Sequence, residues 1–111
     1  MRAEDLKGNL DGMLLAVLNS GPMHGYAVVE SLRERSDGRV NLPSGTVYPA
    51  LHRLEAGGLV SSEWENAGGR RRRVYEITTA GVRSLQDSRA NWRDIIATMR
   101  SIMLPDDPAA P

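Results

Sequence analysis

The sequence has no cysteine and no phenylalanine, and its aromatic content is only 5%. Without cysteine the chain cannot form a disulfide, use a thiolate in catalysis or hold a metal through sulfur. An excess of one charge is also missing, because 14 basic residues balance 14 acidic ones. A net charge of zero creates no global field that attracts nucleic acid, so any such affinity must come from local charge.

Long hydrophobic runs are absent as well. No apolar stretch approaches the ~20 residues that a membrane span needs, and the N-terminus lacks a signal-peptide core. We therefore expect a cytoplasmic protein with no membrane partner. Catalytic patterns are missing too, since His24 and His52 have no neighbouring nucleophile and no phosphate loop or metal-ligand spacing occurs. The sequence predicts no enzyme activity, no metal site and no cofactor.

Two helices are predicted in the first third of the chain. Apolar residues at helical spacing indicate a first helix over residues 6–18, which Gly21 and Pro22 end. A second helix is expected to begin near His24 and to end by Asp37. The residues predicted to be buried by this second helix are Tyr26, Val29 and Leu32.

A third helix follows an extended segment before Pro43. Ser44 is suited to cap its start, because the hydroxyl accepts a hydrogen bond from a free backbone amide. Gly57 and Gly58 predict a left-handed end. Pro49 lies about one turn inside and lacks an N–H group, so we expect an irregular first turn. One side of this helix is apolar and carries Val47, Leu51 and Leu54.

A hairpin and a long helix complete the chain. Residues 59–65 and 71–78 read as two strands joined by a turn that contains Gly68 and Gly69. Thr79 is predicted to cap a helix over residues 80–103, some ~36 Å long. Pro-rich residues 105–111 are expected to form a disordered tail.

The last helix carries a long apolar stripe that fits heptad positions. A chain of this size cannot cover such a stripe fully, which favours a second copy of the same helix as its partner. Packing against the first helix of the same chain is the alternative, and both arrangements can hold together. The residues assigned to a dimer or effector interface are Met13, Leu85, Trp92, Ile95, Ile96, Met99, Ile102 and Met103.

The order of elements predicts a mainly α fold with a small antiparallel β hairpin. Residues 1–78 form a winged helix-turn-helix and residues 79–104 a C-terminal dimerisation helix. The third helix has the size that enters a DNA major groove, where base edges carry distinguishable patterns. The residues predicted to bind DNA are Ser44, Gly45, Thr46, Tyr48, Arg53, Arg70, Arg71, Arg72 and Arg73.

These residues suit different contacts. Free amides at the helix start favour a phosphate, and Gly45 permits a close approach of the backbone. Tyr48 can donate its hydroxyl to a phosphate or pack beneath the hairpin. Four consecutive arginines on a strand point alternately to opposite sides, so only two of them face DNA at once. The sequence does not show whether Arg70 with Arg72 or Arg71 with Arg73 faces DNA, because that depends on the register of the turn.

Several motifs resemble those of PadR-like transcriptional regulators, over about residues 10–103. They are residues 21–26 (GPMHGY), 45–55 (GTVYPALHRLE), 58–60 (GLV), 71–75 (RRRVY) and 78–81 (TTAG). The resemblance implies a homodimeric winged-helix DNA binder, usually a repressor, with the last helix as the dimerisation element. The single C-terminal helix resembles that of the compact branch of the family. The resemblance implies that, as in some members, a cavity near the dimer interface binds a small hydrophobic or aromatic effector. Trp92 then either stacks on such a ligand or anchors the dimer seam.

Two functions remain in competition. The first is a dimeric transcriptional regulator that binds a two-fold-related DNA operator, represses by blocking a promoter and is released by an effector. The alternative is a winged-helix protein-interaction module without specific DNA binding, whose apolar stripe meets a different protein.

Overall fold

The computed structural model describes Leu6 and residues 8–106 of the chain. Its three strands form one antiparallel sheet in the order β1-β3-β2. The predicted fold class is confirmed: the described residues form four helices and a small antiparallel sheet. Residues 107–111 of the predicted tail lie outside the described residues. The elements are α1 (Leu10–Leu18), β1 (Met23–His24), α2 (Gly25–Arg35), α3 (Ser44–Ala56), β2 (Val60–Ala67), β3 (Arg70–Ile77) and α4 (Thr79–Met103).

A single hydrophobic core joins the first three helices to the sheet and to the start of α4. Within the described part of the chain, no helix combines the length and apolar composition of a membrane-spanning segment. The largest side chains that are fully buried belong to Leu14, Leu15, Leu18, Leu51, Leu85, Val17, Val28, Val47 and Val60.

Helix α1 is shorter than the predicted 6–18. Leu6 is buried in the core, but it precedes the helix. Between them Gly8 has a φ of +86°, a left-handed conformation that glycine adopts without strain and that a helix cannot contain. The apolar spacing therefore marked a buried face that extends beyond the helix itself.

Helix α2 begins where the sequence predicts, and His24 provides its N-cap. The Nδ1 atom of His24 accepts a hydrogen bond from the backbone N–H of Ala27 at 3.3 Å. Val29 and Leu32 are buried as predicted, whereas the prediction for Tyr26 is wrong, because 52% of this side chain is exposed. Tyr26 lies in the first turn, where Gly25 and Val28 are the residues turned toward the core.

Helix α3 starts with a different cap from the predicted one. Pro43 is the N-cap and Ser44 is already helical, so the capping role of Ser44 is wrong. The carbonyl oxygen of Pro43 instead accepts hydrogen bonds from the N–H groups of Thr46 and Val47, at 2.9 and 3.2 Å. The bond from Thr46 spans three residues, so the first turn is tight, and the helix continues through Pro49.

The end of α3 confirms the left-handed glycine. Gly58 has a φ of +79°, and its N–H donates to the carbonyl of Glu55 at 3.0 Å. The N–H of Leu59 donates to the carbonyl of Leu54, also at 3.0 Å. These two bonds form a Schellman motif, which turns the chain directly into β2.

The sheet contains one strand more than the predicted hairpin. β1 has only two residues and pairs with β3, with Met23 opposite Tyr75 and His24 opposite Val74. A two-residue strand has no period of its own, which is why the sequence pattern did not indicate it. It holds the start of α2 beside the hairpin.

Helix α4 is capped by Thr78 rather than by the predicted Thr79. The Thr78 hydroxyl accepts from the N–H of Gly81 at 3.0 Å and donates to the carbonyl of Gly58 at 2.7 Å. Leu85, near the start of the helix, is buried, but beyond it the helix extends away from the core. The molecule is therefore elongated, with a longest dimension of 57 Å.

Candidate nucleic-acid interface

The outward side of α3 forms one part of the candidate interface. Val47, Ala50, Leu51 and Leu54 are buried on the inward side. No heavy atom lies within 4 Å of the position that a Cβ atom would occupy on Gly45, so packing within the chain does not require glycine there. The DNA-binding candidates of this helix are all exposed: Ser44, Gly45, Thr46, Tyr48 and Arg53.

Tyr48 is both exposed and packed. Its ring lies against the backbone of Gly25 in α2, and 37% of the side chain remains accessible. The packing partner given by this contact is α2 rather than the hairpin considered from the sequence, and it leaves part of the side chain accessible.

Arg53 lies on the other flank of α3, beside α1. Its Nη2 atom is 2.6 Å from Oδ1 of Asp11, and the two side chains are 61% and 47% exposed. An exposed ion pair of this kind adds little to stability. Its guanidinium stays at the surface, where its charge is partly compensated by the Asp11 carboxylate.

The hairpin of β2 and β3 forms the second part, here called the wing. Gly68 and Gly69 both have positive φ, 58° and 78°, as a two-residue type I′ turn requires. This turn sets the register, with Trp64 opposite Arg73 and Asn66 opposite Arg71.

The register divides the four arginines into two pairs. Arg71 and Arg73 share the side of the wing that carries Trp64, because residues directly opposite on paired strands share a face. Their Cζ atoms lie 4.9 and 5.5 Å from the centroid of a Trp64 ring. Arg70 and Arg72 alternate with them on the strand, and their side chains form no hydrogen bond or ion pair with any residue that the structure describes.

Arg73 is tied to α3 by a small polar network. Its Nε donates to Ser62 Oγ at 2.6 Å, and its Nη2 is 3.4 Å from Glu55 Oε2. Ser62 in turn donates to Glu55 Oε2 at 2.6 Å. The hydrogen bond from Ser62 and the charge of Arg73 hold the pKa of Glu55 below its ordinary value of 4.5. The carboxylate therefore remains charged at neutral pH and joins the wing to the end of α3.

A cleft of about 370 Å³ separates α3 from the wing, here called the wing cleft. It brings Tyr48 together with Arg72 and Arg73, three of the residues predicted to bind DNA. Rings dominate its walls, and no carboxylate lines it. The lining residues are His24, Gly25, Tyr26, Tyr48, His52, Trp64, Arg72, Arg73 and Tyr75.

The residues assigned to a dimer or effector interface lie elsewhere, along α4 and α1. Leu85 is buried in the core of its own chain, and Met13 packs against that core. Trp92 donates from Nε1 to Oδ1 of Asn9 at 3.1 Å. A cavity of about 300 Å³ between α1 and α4 is lined in part by Met13, Leu85 and Trp92.

Beyond Trp92 the α4 stripe is uncovered. A groove of about 450 Å³ runs along it, and all of its lining residues except Arg100 are apolar. The exposed apolar side chains of this segment are Trp92, Ile95, Ile96, Met99, Ile102, Met103 and Leu104.

Several residues of the candidate interface were not singled out from the sequence. The roles of Trp64, Glu55 and Asp11 depend on contacts between residues distant in the chain. Trp64 alone offered a signal, because it is a tryptophan in the predicted strand that pairs with the arginines. Among the described residues, no group of three or more His, Asp or Glu side chains is placed to hold a metal ion.

Comparison with known proteins identifies the family of this chain. The model of the transcriptional regulator PadR-like family matches residues 14–87. A curated relative, the transcriptional regulator Rv3488 of Mycobacterium tuberculosis, is 56% identical over 45 residues. That alignment covers 40% of this chain and 42% of the mycobacterial protein, less than half of its length.

Solved structures agree with this result. A PadR family regulator from Eggerthella lenta has 32% identity and a TM-score of 0.80, with 92% of this chain and 88% of that chain covered. Bacillus subtilis PadR, solved in complex with operator DNA, has 22% identity and a TM-score of 0.67. Its alignment covers 72% of this chain and 46% of that chain, and at this identity it supports the fold alone.

Proposed function

The chain belongs to the PadR-like family of transcriptional regulators, and from this premise we propose that it is a sequence-specific DNA-binding repressor. It acts as a homodimer on a two-fold-related operator and represses by blocking a promoter. The exposed start of α3 reads bases in the major groove, while the wing contacts the phosphate backbone. The operator half-sites are then spaced by about one turn of DNA or a multiple of it.

One observation carries this proposal: the wing cleft joins the outward side of α3 to the arginine-rich wing. A chain with zero net charge gains its affinity for DNA locally, and this is the place where basic side chains and a groove-sized helix adjoin. Bacillus subtilis PadR, a protein of the same fold, was solved in complex with operator DNA, and DNA is the partner that we propose for this chain.

The dimer is inferred from α4. Trp92, Ile96 and Met99 are 41%, 44% and 50% exposed, and they belong to a continuous apolar stripe that a monomer would leave in water. Such contiguous patches mark interaction sites. A second α4, packed on the first by two-fold symmetry, covers both stripes with the same residues.

The effector site is assigned to the cavity between α1 and α4, close to this stripe. Met13, Leu85 and Trp92 give it apolar walls suited to a small hydrophobic or aromatic molecule. An effector releases DNA only if it binds one arrangement of the two protomers better than the other. Binding beside the α4 seam changes the angle between protomers and so the distance between their two α3 helices.

The test is a titration of the purified protein with DNA from upstream of its own coding region. A random duplex serves as the control, at about 50 and about 200 mM salt. We expect binding to the upstream DNA that stays tighter than binding to the random duplex as salt rises. Equal, weak and steeply salt-dependent binding to both duplexes would contradict recognition of this region and would leave only contacts to phosphates.

A further inference from the structure

The rings of this chain are gathered at one place. It has two tryptophans, three tyrosines and no phenylalanine, and four of these five aromatic side chains line the wing cleft. Both histidines line it as well. Three of the aromatic side chains are poorly covered: Tyr26 is 52%, Tyr48 37% and Trp64 57% exposed. Rings that contribute so little to the core are better explained by a partner that enters the cleft.

Trp64 stands apart within this group, because its ring lies beside two guanidinium groups. Arg73 has other partners, namely Ser62 and Glu55. The Arg71 side chain forms no hydrogen bond or ion pair with a described residue. The interaction of its guanidinium that the structure shows is with the Trp64 ring, whose centroid lies 4.9 Å from Cζ. A cation over an indole face is attracted by the negative charge of the ring face. Trp64 therefore restricts Arg71 to its own side of the wing, next to the cleft that Trp64, Arg72 and Arg73 line.

We propose that Trp64 is a positioning residue for DNA binding: it holds Arg71 beside the wing cleft, and the cleft receives one sugar–phosphate strand of the operator. The inference rests on the proposed function and assigns unequal roles to the arginines that the sequence left equivalent. Arg71 contacts phosphate, whereas Arg73 joins the wing to α3. The hydroxyls of Tyr26 and Tyr48 are further donors toward the same strand.

The charges support this division. The carboxylate of Glu55 lies beside Arg73 and partly neutralises it. Arg71 keeps its full charge, and its contact with an apolar ring leaves its N–H groups available for a phosphate. Holding the long side chain in place before DNA arrives reduces the entropy lost on binding.

The experiment measures DNA affinity against salt for four proteins: the wild type, Trp64→Leu, Arg71→Ala and Arg70→Ala. In Arg71→Ala we expect weaker binding and a slope of log K against log salt that is smaller by about 1 for each protomer, because one phosphate contact is lost. In Trp64→Leu we expect a loss of about two- to fivefold for each protomer with the slope unchanged. Trp64→Phe keeps a ring and should recover most of that loss.

A double-mutant cycle separates positioning from an independent contact. The losses of Trp64→Leu and Arg71→Ala should not add, because the indole acts through that arginine. Those of Trp64→Leu and Arg70→Ala should add, since Arg70 lies on the other side of the wing. DNA should also change the intrinsic fluorescence of the wild type, and this change should be smaller in Trp64→Phe.

Additive losses in the first pair, or wild-type affinity in Trp64→Leu, would overturn the positioning role. The cycle is run on the upstream DNA and on the random duplex, because phosphate contacts do not depend on sequence. If specific recognition fails, the wild type binds the upstream DNA no more tightly than the random duplex. The double-mutant cycle can still be measured on either duplex, so it still tests the role of Trp64. A wild type that binds neither duplex would overturn both proposals. Thermal unfolding of each variant confirms that it is folded, as expected for a side chain that is 57% exposed.

Discussion

Gly25, the first residue of α2, lies against the ring of Tyr48 in α3, so close that a Cβ atom on residue 25 would be 2.5 Å from Cε1 of that ring. Real Cβ atoms essentially never come this close to a non-bonded atom. Only glycine therefore allows Tyr48 its position in the wall of the wing cleft, and two motifs more than twenty residues apart in the sequence depend on each other.

Substitution of Gly25 by alanine should displace this ring. We expect the free energy of unfolding to fall by about 1 kcal/mol, the lower end for overpacking, because the half-exposed ring can swing outward. DNA affinity should fall as well, since the ring then occupies the cleft. In a Tyr48→Ala background the same substitution should cost almost nothing, and an equal cost in both backgrounds would contradict the contact. Chemical denaturation and DNA titration provide the two readouts.

Gly81 and Gly12 offer opposite outcomes for one substitution. A Cβ atom on Gly81 would lie 2.1 Å from the carbonyl oxygen of Leu59, which is backbone and cannot turn aside. On Gly12 the nearest atom would be Cβ of Ser88 at 3.6 Å, an ordinary contact. We expect Gly81→Ala to destabilise by about 3 kcal/mol and Gly12→Ala to stabilise by up to about 1 kcal/mol, as alanine does inside a helix. Urea denaturation measures the free energy of unfolding of both variants. Similar changes at the two sites would contradict this prediction.

The network of Glu55, Ser62 and Arg73 predicts a dependence of stability on pH. The folded pKa of Glu55 is below its ordinary value of 4.5, so the ionised carboxylate favours the folded state. This stabilisation is present above the unfolded pKa and is lost as pH falls through the lower, folded pKa. Since the pair is partly exposed, its contribution is about 1 kcal/mol or less.

Glu55→Gln is the variant that measures it. At about pH 7 the wild type should be the more stable, and the difference should shrink toward zero below about pH 4. Ser62→Ala removes the largest cause of the shift and should abolish part of the same dependence. A difference between wild type and Glu55→Gln that is constant with pH would show that the carboxylate is not the responsible group.

Much of this fold follows from local sequence patterns. The spacing of Val47, Leu51 and Leu54 identified the inward side of α3, and Gly68 with Gly69 identified the turn of the wing. Tyr26 was placed wrongly because a helical period gives the direction of a side chain and not the edge of the core. The N-caps of α3 and α4 were each predicted one residue too late. In both helices a serine or threonine follows the true cap, and local sequence does not discriminate between adjacent positions.

The candidate site was less accessible from sequence. The alternation of the arginines was predicted, but the pair that shares a side with Trp64 depends on the register. The ion pair of Arg53 with Asp11 joins residues 42 positions apart. This contact forms only when α1 and α3 pack against each other, so no local sequence pattern predicts it.

The proposed dimer predicts that a charge on the α4 stripe produces monomers. Met99 is 50% exposed in the single chain, so Met99→Asp should leave the protomer folded while placing a carboxylate in the seam. Ser101→Asp adds the same charge on the opposite side of the helix and should remain dimeric. Light scattering coupled to size exclusion measures both masses. A dimeric Met99→Asp variant would require another interface, and a monomeric wild type would favour the stripe as a site for a different protein.

The ion pair between Arg53 and Asp11 provides a test of where the DNA-binding side of α3 ends. If Arg53 contacts phosphate, Asp11→Asn should raise affinity for all duplexes and steepen the salt dependence, because the charge of Arg53 is no longer compensated. Arg53→Ala should have the opposite effect, and in that background Asp11→Asn should change the salt slope much less. Stability should change by less than about 0.5 kcal/mol in each variant, since both partners are exposed. Salt slopes that are equal in all four proteins would place Arg53 outside the interface and would confine phosphate contacts to the start of α3 and the wing.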